Sequence, residues 1–288
     1  MNMSASMQAT GHKQRRNRKS PMIVFKLGGS VLKRLHPDFF RKLRELSKEN
    51  IPYVIVHGGG PFVSNWMNKL GQKPVFIEGR RVTDEGTLDI VQMVLAGQVN
   101  KQLVSRLLQE GIPALGISGI DLNLITVKPK DEKLGFVGEV TGLNRKVLHQ
   151  MLETGWVPVL SSLGIGEKGQ AFNVNADEAA ALVAQGMGAR QLVMVSDVDG
   201  IFIKEGNEKN LLRHATPEMV EQLISDGQIT GGMIPKVRSA VRCLNGGVEK
   251  VWIINGEKGR DTDEKRPDSP GTCLMKKEVS ERVSVSNI

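Results

Sequence analysis

The sequence predicts an α/β protein whose mostly parallel central sheet is covered by helices on both faces. Short apolar runs, such as those at 22–27 and 53–57, alternate along the chain with amphipathic stretches. Runs that are apolar throughout are typical of parallel strands buried on both faces. Glycine-rich turns follow these two runs, at 28–29 and 58–60. The alternation predicts repeated strand and helix units around one sheet.

Local patterns assign the elements in order. Apolar residues at helical spacing in 37–50 predict a helix that joins the first two strands into a βαβ unit. One long helix with an apolar side, a candidate subunit interface, is expected at 87–110, and a hairpin or flap at 124–140. Further strands are expected at 112–118, 156–163, 191–202 and 250–256, and further helices at 146–154, 176–188, 217–225 and 235–244. Pro235 is expected at the first position of the last helix.

The formal net charge of +8 arises largely from an amino-terminal tail, residues 1–21. This tail contains no acidic residue, and its basic residues are Lys13, Arg15, Arg16, Arg18 and Lys19. The rest of the chain is nearly balanced in charge, so a nucleic-acid partner is not expected. The tail is predicted to be disordered. An inert extension is favoured over a segment that binds nucleic acid or membrane phosphates.

Location and metal content are inferred from what the sequence lacks. No apolar stretch is long enough to span a membrane, and none follows the basic tail as it does in a secretory signal. Cys243 and Cys273 have neither a CxxC motif nor zinc-ligand spacing. Structural or surface positions are expected for most of the histidines, which include His36, His57, His149 and His214. The sequence therefore predicts a cytoplasmic protein without a membrane partner or metal ligands.

Three common site motifs do not account for the glycine turns. HGGGP at 57–61 could form the oxyanion hole of an α/β-hydrolase, but the chain has no GxSxG nucleophile motif. LGIGEKG at 163–169 matches GxGxxG, but no helix pattern follows at once, so dinucleotide binding is not expected. A Walker phosphate-binding loop is absent. A nucleotide site in this chain would therefore be of another type.

Two lysines stand beside glycines at the ends of predicted elements. Lys26 lies in an apolar strand before Gly28 and Gly29, and glycine amides can approach phosphate oxygens closely. Lys236 lies in the first turn of a helix after 231–232, where a cation is unfavourable unless an anion binds there. Both patterns indicate anion binding. A tight turn or surface position with a solvated lysine remains the alternative.

Two polar clusters complete the candidate site. NVNAD at 173–177 precedes an Ala-rich helix, so Asn175 can be an N-cap and Asp177 can hold nearby lysines in position. SDVDGIF at 196–202 follows a strand and is either an ordinary Asx turn or a nucleotide-contacting loop. Ligands of open α/β sheets bind at the carboxyl ends of the strands, so the chemistry is expected there.

Taken in order, KLGGS, HGGGP, GRRVTD, NVNADEAA, SDVDGIF and GGMIPK resemble the motifs of acetylglutamate kinases in the amino acid kinase family. The resemblance extends from Met22 to Thr272, although carbamate kinases, aspartokinases and uridylate kinases share single motifs. It implies the amino acid kinase fold, an open three-layer α/β sandwich. It also implies transfer of the γ-phosphoryl group of ATP to the side-chain carboxylate of N-acetyl-L-glutamate. The product would be N-acetyl-L-glutamyl 5-phosphate, an intermediate of arginine biosynthesis.

The resemblance implies roles for individual residues. Lys26 and Lys236 would neutralise the transferring phosphoryl group, and Asp177 would orient both lysines. Backbone amides would bind phosphoryl and carboxylate oxygens at Gly28, Gly29, Gly59 and Gly60. The amino-acid end of the substrate would contact Arg81 and Asn173. The nucleotide would contact Ser196, Asp197, Val198, Asp199, Gly200, Ile201 and Gly232. Mg²⁺ would arrive with ATP, held largely by phosphates and water.

The resemblance also divides the chain into an acyl-substrate lobe, residues 22–173, and a nucleotide lobe, residues 174–288. Arg80 departs from the family pattern, because relatives often carry a small or apolar residue there. The basic tail lacks the helix pattern of arginine-inhibited hexamers, so an arginine-insensitive homodimer is expected. The alternatives are a kinase for another carboxylate, such as carrier-protein-linked aminoadipate, another family member, or a binding module without catalysis.

Overall fold

The computed structural model describes residues 22–205, 208–259 and 271–276. The predicted disordered tail, residues 1–21, lies outside this range. The strands are β1 (Ile23–Leu27), β2 (Tyr53–His57), β3 (Phe76–Ile77), β4 (Arg80–Arg81), β5 (Ala114–Ser118), β6 (Ile125–Pro129), β7 (Gly138–Leu143), β8 (Val157–Ser161), β9 (Leu163–Ile165), β10 (Ala171–Asn173), β11 (Gln191–Ser196), β12 (Ile201–Glu205), β13 (Glu208–Leu212), β14 (His214–Ala215), β15 (Lys250–Asn255) and β16 (Thr272–Met275). The helices are α1 (Pro37–Lys48), α2 (Gly60–Lys69), α3 (Glu85–Gln92), α4 (Asn100–Gln109), α5 (Arg145–Glu153), α6 (Ala176–Gly186), α7 (Pro217–Ser225) and α8 (Met233–Asn245).

An eight-stranded central sheet has the strand order β14, β16, β15, β11, β1, β2, β8 and β5. Its neighbouring strands run parallel, apart from the antiparallel pair of β15 and β16. Helices α5, α6 and α8 pack on one face, and α1 and α4 pack on the other. The predicted class, an α/β three-layer sandwich with a mostly parallel sheet, is confirmed. In this sheet β1, β2, β8 and β5, from the first part of the chain, form one half, and β11, β15, β16 and β14 form the other half.

Side chains of β1 alternate between the two faces of the sheet. Phe25 and Leu27 pack into the layer that contains α1 and α4, whereas Val24 packs into the layer that contains α6. Lys26 is two residues from Val24, so its side chain leaves the strand on the α6 face. The alternation of one buried strand thus directs the lysine towards the amino-terminal end of α6.

Smaller sheets and hairpins flank the central sheet. One sheet has the order β10, β9, β6 and β7, and its antiparallel pair of β6 and β7 confirms the hairpin predicted at 124–140. β9 and β10 form a second hairpin through a short 3-10 turn at 167–169. The GxGxxG match at 163–169 therefore does not lead into a helix, as the sequence predicted. The hairpins of β3 with β4 and of β12 with β13 were not predicted.

Two helices differ from their predicted form. The helix predicted at 87–110 begins at Glu85, because Asp84 caps it by accepting a hydrogen bond from the amide of Thr87 at 2.8 Å. Its middle part, Met93–Val99, is π-helical, so the predicted long helix is continuous but is not α-helical throughout. Apolar spacing alone does not distinguish these two hydrogen-bond patterns, and π-helical turns within α-helices often occur at functional sites.

The start of α8 also differs from the prediction. The helix begins at Met233, so Pro235 is its third residue rather than its first. A proline is tolerated at this position because the first amides of a helix have no intrahelical acceptor. Lys236 nevertheless lies at the amino-terminal end of α8, as predicted. Among all described residues, no helix combines the length and the apolar character needed to cross a membrane.

The glycine turns after β1 and β2 approach each other closely. A Cβ atom on Gly29 would lie 2.8 Å from Cδ of Pro61 and 2.9 Å from Cα of Gly59. Gly60 belongs to the same turn as Gly59, but a Cβ atom there would have no neighbour within 4 Å. The contact between the two turns therefore requires glycine at position 29, whereas position 60 has space for a methyl group.

We expect Gly29→Ala to lower the free energy of unfolding by about 1–3 kcal/mol, because the added methyl group would force the two turns apart. Gly60→Ala is the matched control, since it adds the same group in open space. Chemical denaturation of both variants measures the difference. A Gly29→Ala variant as stable as the wild type would contradict the close approach of the turns.

Candidate active site

A cavity of about 200 Å³ opens between the turn after β2, the hairpin of β3 and β4, and the first turn of α6. All four residues that were predicted to bind the substrate line this cavity, namely Gly59, Gly60, Arg81 and Asn173. They come from three separate segments of the chain. The cavity lies at the carboxyl end of β2, where an open α/β sheet is expected to bind its ligand.

An ion pair joins the end of β1 to the start of α6. The ammonium of Lys26 lies 2.8 Å from Oδ1 of Asp177, and Lys26 is only 8% exposed. Asn175 is the N-cap of α6, as predicted, and its side-chain oxygen accepts a hydrogen bond from the amide of Asp177 at 2.8 Å. A carboxylate in the first turn of a helix is stabilised by the helix dipole. Asp177 is therefore held at the start of α6, beside the ammonium of Lys26.

Lys236 approaches the same ion pair from the start of α8. Burial and the neighbouring ammonium of Lys26 lower the pKa of Lys236, while the carboxylates of Asp177 and Asp197 act in the opposite direction. The two ammonium groups repel each other, so an anion that lies near both would be stabilised. The three residues predicted to be catalytic thus belong to one electrostatic cluster, which is suited to a negatively charged ligand.

Backbone amides near this cluster are free to bind a ligand. Those of Gly29, Gly59 and Gly60 donate to no acceptor in the described part of the chain. Gly28 differs, because its amide donates to the carbonyl oxygen of Val195 at 2.9 Å and so continues the pairing of β1 with β11. The structure therefore does not support its predicted role as a phosphate-binding amide, because this amide is already paired. A Cβ atom on Gly28 would lie 3.9 Å from Nζ of Lys26.

Arg81 is buried beneath the cavity wall. Its Nη2 donates to the carbonyl oxygen of Gly60 at 3.0 Å and to Oγ of Ser64 at 2.8 Å. The guanidinium also lies 4.8 Å from the ring centroid of Phe76, and burial lowers the pKa of Arg81. Arg81 therefore holds the glycine turn as well as facing the cavity. Asn173 also lines the cavity, and its Nδ2 donates to Oγ1 of Thr83 at 3.1 Å.

The predicted nucleotide loop follows β11, and Asp199 fixes it to the end of β15. One carboxylate oxygen of Asp199 accepts from Asn255 at 2.8 Å and the other from Lys258 at 2.7 Å. The hydrogen bond from Lys258 holds the pKa of Asp199 below its usual range. With both oxygens engaged, this side chain shapes the loop. Asp197 is exposed, and it is the loop carboxylate that acts on Lys236.

Several residues of this loop are buried rather than exposed to a ligand. Ile201 is 1% exposed and its amide donates to Oγ1 of Thr272 at 2.8 Å, so its side chain belongs to the core. Val198 packs against the same core, and Ser196 is 3% exposed. Gly200 has φ of +147°, a conformation in which a side chain would be strained. Gly232, in contrast, is exposed before α8.

His57 has a structural role that spacing did not reveal. It is fully buried, and its Nδ1 lies 2.9 Å from the carbonyl oxygen of Gly58 in the cavity wall. Its Nε2 lies 3.1 Å from Nδ2 of Asn100, whose Oδ1 accepts from Lys101. Because Asn100 presents its amide group, Nε2 must accept and Nδ1 must carry the proton. The neutral ring therefore connects α4 to the glycine turn.

The fold and this cluster define a class of protein. Two lysines, a carboxylate and free glycine amides lie where β1 and β2 end and where α6 and α8 begin. Such a group is suited to phosphoryl transfer by charge stabilisation. A family model described as "Amino acid kinase family" matches residues 21–255. The chain belongs to the amino acid kinase family.

The chain is also similar to individual acetylglutamate kinases. The chain is 46% identical over 236 residues to the acetylglutamate kinase of Geobacillus kaustophilus (strain HTA426). The matched region covers 82% of this chain and 90% of the relative. It is 41% identical over 237 residues to the acetylglutamate kinase of Nostoc punctiforme, covering 81% of this chain and 80% of the relative.

Solved structures share the fold. The crystal structure of smu.665 from Streptococcus mutans UA159 matches with a TM-score of 0.79 and 30% identity, over 89% of this chain and 99% of that chain. An N-acetylglutamate synthase from Neisseria gonorrhoeae, solved with coenzyme A and N-acetyl-glutamate, matches with a TM-score of 0.75 and 24% identity. That match covers 90% of this chain and 60% of the other, and it supports the fold alone.

The buried histidine predicts how stability depends on pH. Burial lowers the pKa of His57 to about 4 from its usual 6.5, so the unfolded chain binds more protons between these values. The contribution of His57 to the free energy of unfolding is complete above pH 6.5. It decreases as the pH falls towards 4, by a total on the order of 3 kcal/mol. His57→Gln should reduce this decrease, whereas His149→Gln, at an exposed position, should not. Denaturation at several pH values tests the expectation, and identical pH profiles for wild type and His57→Gln would contradict it.

Proposed function

We propose that this protein is an ATP-dependent acetylglutamate kinase. It transfers the γ-phosphoryl group of ATP to the side-chain carboxylate of N-acetyl-L-glutamate and forms N-acetyl-L-glutamyl 5-phosphate for arginine biosynthesis. The observation that carries this proposal is the cluster of Lys26, Asp177 and Lys236 beside a cavity lined by Arg81 and Asn173. The identity of 46% to a curated acetylglutamate kinase supports the choice of substrate.

The reaction needs little activation of its nucleophile. The acceptor carboxylate is already ionised at neutral pH, so no general base is required. Lys26 and Lys236 would stabilise the negative charge on the phosphoryl oxygens as the bond to the leaving oxygen breaks. Asp177 would keep the ammonium of Lys26 in position through their 2.8 Å ion pair. This role explains why a carboxylate lies in a site built for anions.

The acyl substrate would occupy the cavity. The free amides of Gly59 and Gly60, with Gly29 on the adjoining turn, would donate to carboxylate and phosphoryl oxygens. Arg81 and Asn173 would bind the amino-acid end. Rigid glycine turns that meet at contact distance would hold acceptor and donor oxygens in line, and such positioning provides much of the rate enhancement in phosphoryl transfer.

The nucleotide would lie beside the 196–201 loop and Gly232 at the start of α8. Among the described residues, no three His, Cys, Asp or Glu side chains are grouped to hold a metal ion. The nearby carboxylates, Asp177 and Asp197, act on lysines. This donor set fits Mg²⁺ that is held mainly by phosphates and water, as is common for this ion. When bound, Mg²⁺ would neutralise charge on the nucleotide phosphates.

The lobes and the assembly belong to the same proposal. Residues 22–173 would form the acyl-substrate lobe and residues 174–288 the nucleotide lobe, in a cytoplasmic homodimer. The strand order of the central sheet supports this division, because the strands of each segment occupy one half of the sheet. Exposed Met93, Leu108 and Leu115, on the helical segment and the edge strand β5, offer apolar surface to a second copy.

Acyl-phosphate formation tests the activity directly. With ATP and Mg²⁺, we expect N-acetyl-L-glutamate to give a product that hydroxylamine traps as a hydroxamate. Glutamate, aspartate and carrier-linked aminoadipate should give much weaker signals, because the relatives support an acyl amino acid as substrate. A stronger signal with another acceptor would retain the kinase class and refute the substrate, whereas no signal with any acceptor would refute catalysis.

Lysine variants test the proposed chemistry. Lys236→Met and Lys26→Met should each lower turnover by roughly two to three orders of magnitude, the scale seen when one oxyanion donor is removed. Lys146→Met is the matched control, because Lys146 is exposed on α5. Steady-state kinetics on folded proteins provide the measurement. Near-normal turnover by either site variant would refute the assigned roles.

A further inference from the structure

His57 and Asn100 form a buried polar pair that the mechanism above does not use. Both side chains are fully buried, in the layer of apolar side chains between the central sheet and α4. Nε2 of His57 lies 3.1 Å from Nδ2 of Asn100. A buried polar network whose members are all hydrogen-bonded fixes one arrangement of them. The pair is therefore suited to hold a neighbouring group in one orientation.

The orientation of the Asn100 amide is fixed by groups other than His57. Its Nδ2 donates to the carbonyl oxygen of Val159 at 2.9 Å, and a carbonyl oxygen can only accept. Its Oδ1 accepts from the ammonium of Lys101 at 3.1 Å, and an ammonium can only donate. Nδ2 therefore faces the imidazole ring as a donor. Because Nε2 of His57 accepts this hydrogen bond, the proton of the neutral ring is on Nδ1.

The protonated Nδ1 determines how an amide of the cavity points. Nδ1 of His57 donates to the carbonyl oxygen of Gly58 at 2.9 Å. That carbonyl and the N–H of Gly59 belong to one planar peptide unit, in which the two groups point in opposite directions. Gly59 lines the cavity, and its N–H donates to no acceptor in the described part of the chain. A hydrogen bond that fixes the carbonyl therefore also fixes the direction of this free amide.

The same peptide unit has little preference of its own for one orientation. It joins two glycines, and because glycine adopts both signs of φ at similar cost, the plane of the unit rotates more easily than elsewhere. Its position is restrained by the π-helical segment, since a Cβ atom on Gly59 would lie 2.5 Å from Cδ2 of Leu95 and 3.4 Å from Cγ2 of Val99. Packing thus sets where the unit lies, and the hydrogen bond from His57 sets how it is oriented.

We propose that Asn100 is a positioning residue for phosphoryl transfer. By donating to Nε2, it selects the tautomer of His57 whose Nδ1–H holds the Gly58 carbonyl, and the Gly59 amide then points at the oxygens of the reacting groups. This inference rests on the proposed function, in which that amide binds carboxylate and phosphoryl oxygens. A donor oriented in advance stabilises negative charge without reorganisation during the reaction. In the other tautomer, lone pairs on Nδ1 and on the carbonyl oxygen would face each other and favour rotation of the peptide unit.

The tautomer of His57 is measured by long-range proton–nitrogen correlation spectra of the protein with isotope-labelled histidines, in the absence of substrate. We expect the Nδ1–H tautomer in the wild type. Asn100→Leu removes the amide at similar side-chain size, so part of the population should change to the Nε2–H tautomer. His57→Gln removes the resonances and so assigns them. An unchanged tautomer in Asn100→Leu would overturn the inference.

Kinetics test whether this orientation matters for the reaction. Asn100→Leu should lower kcat roughly tenfold to a hundredfold, less than the loss seen when one oxyanion donor is removed altogether, with little change in the KM for N-acetyl-L-glutamate. Tyr53→Phe is the matched control, because Tyr53 lies on the same strand as His57, and its hydroxyl lies 2.9 Å from Oγ of Ser47 in the same layer. This control should lower stability without lowering kcat. Equal losses of kcat in the two variants would assign Asn100 a structural role alone and refute the proposal.

Two substitutions of His57 test the same hydrogen-bonded path independently of the folding of Asn100→Leu. The side-chain amide in His57→Asn can place a donor near the position of Nδ1, whereas the longer side chain in His57→Gln places its amide near Nε2. We expect His57→Asn to retain more of the wild-type kcat than His57→Gln. In the double variant, Asn100→Leu should add little to the loss caused by His57→Gln, because both act through one path. Additive losses, or equal kcat for the two His57 variants, would contradict the proposal.

These measurements separate this inference from the proposed function. The His57 tautomer is measured without turnover, so its dependence on Asn100 is tested whichever acceptor the protein uses. If the wild type phosphorylates an acceptor other than N-acetyl-L-glutamate, the proposed substrate is refuted, and the same comparison of kcat with that acceptor decides the role of Asn100. An active acetylglutamate kinase whose Asn100→Leu variant retains full kcat overturns this inference and leaves the proposed function intact.

Discussion

The buried ion pair between Lys26 and Asp177 is the interaction on which the site depends. A lysine in a strand that is apolar on both sides must be paired, because an isolated buried ammonium is strongly unfavourable. The pair joins the end of β1 to the start of α6 at 2.8 Å. Because β1 lies in the middle of the central sheet, the pair stands where strands from the two parts of the chain meet. The electrostatic environment of Lys236 is also determined in part by these two charges.

The close approach of the two glycine turns is a second constraint on the site, and it is steric. Their backbones are in contact near Gly29 and Gly59, so the ends of β1 and β2 can present free amides to one small volume. The neutral ring of His57 and the guanidinium of Arg81 hold this turn through the carbonyl oxygens of Gly58 and Gly60. Hydrogen bonds from rigid, buried groups therefore position the amides before a ligand arrives, which is the arrangement that favours electrostatic catalysis.

Ion pairs of Glu178 extend the same principle to the wall of the cavity. Asp177 pairs with Lys26, and the next residue of α6, Glu178, pairs with Arg80 and Lys130. One helical turn thus organises cations at two places, and Asn175 caps that turn through the amides of both acids.

The sequence by itself determined the fold class, most strands and helices, and the residue types of the site. These depend on local properties, such as apolar runs, glycines after strands and an N-cap such as Asn175, which a single chain displays directly. Only the tertiary structure decided that Gly28 donates to β11, that Ile201 lies in the core, and that His57 supports the glycine turn. It also brought Arg80 and Lys130 to Glu178, across 98 and 48 positions of sequence. Such contacts depend on strand register and on the rotation of each helix, which are set by packing between distant segments.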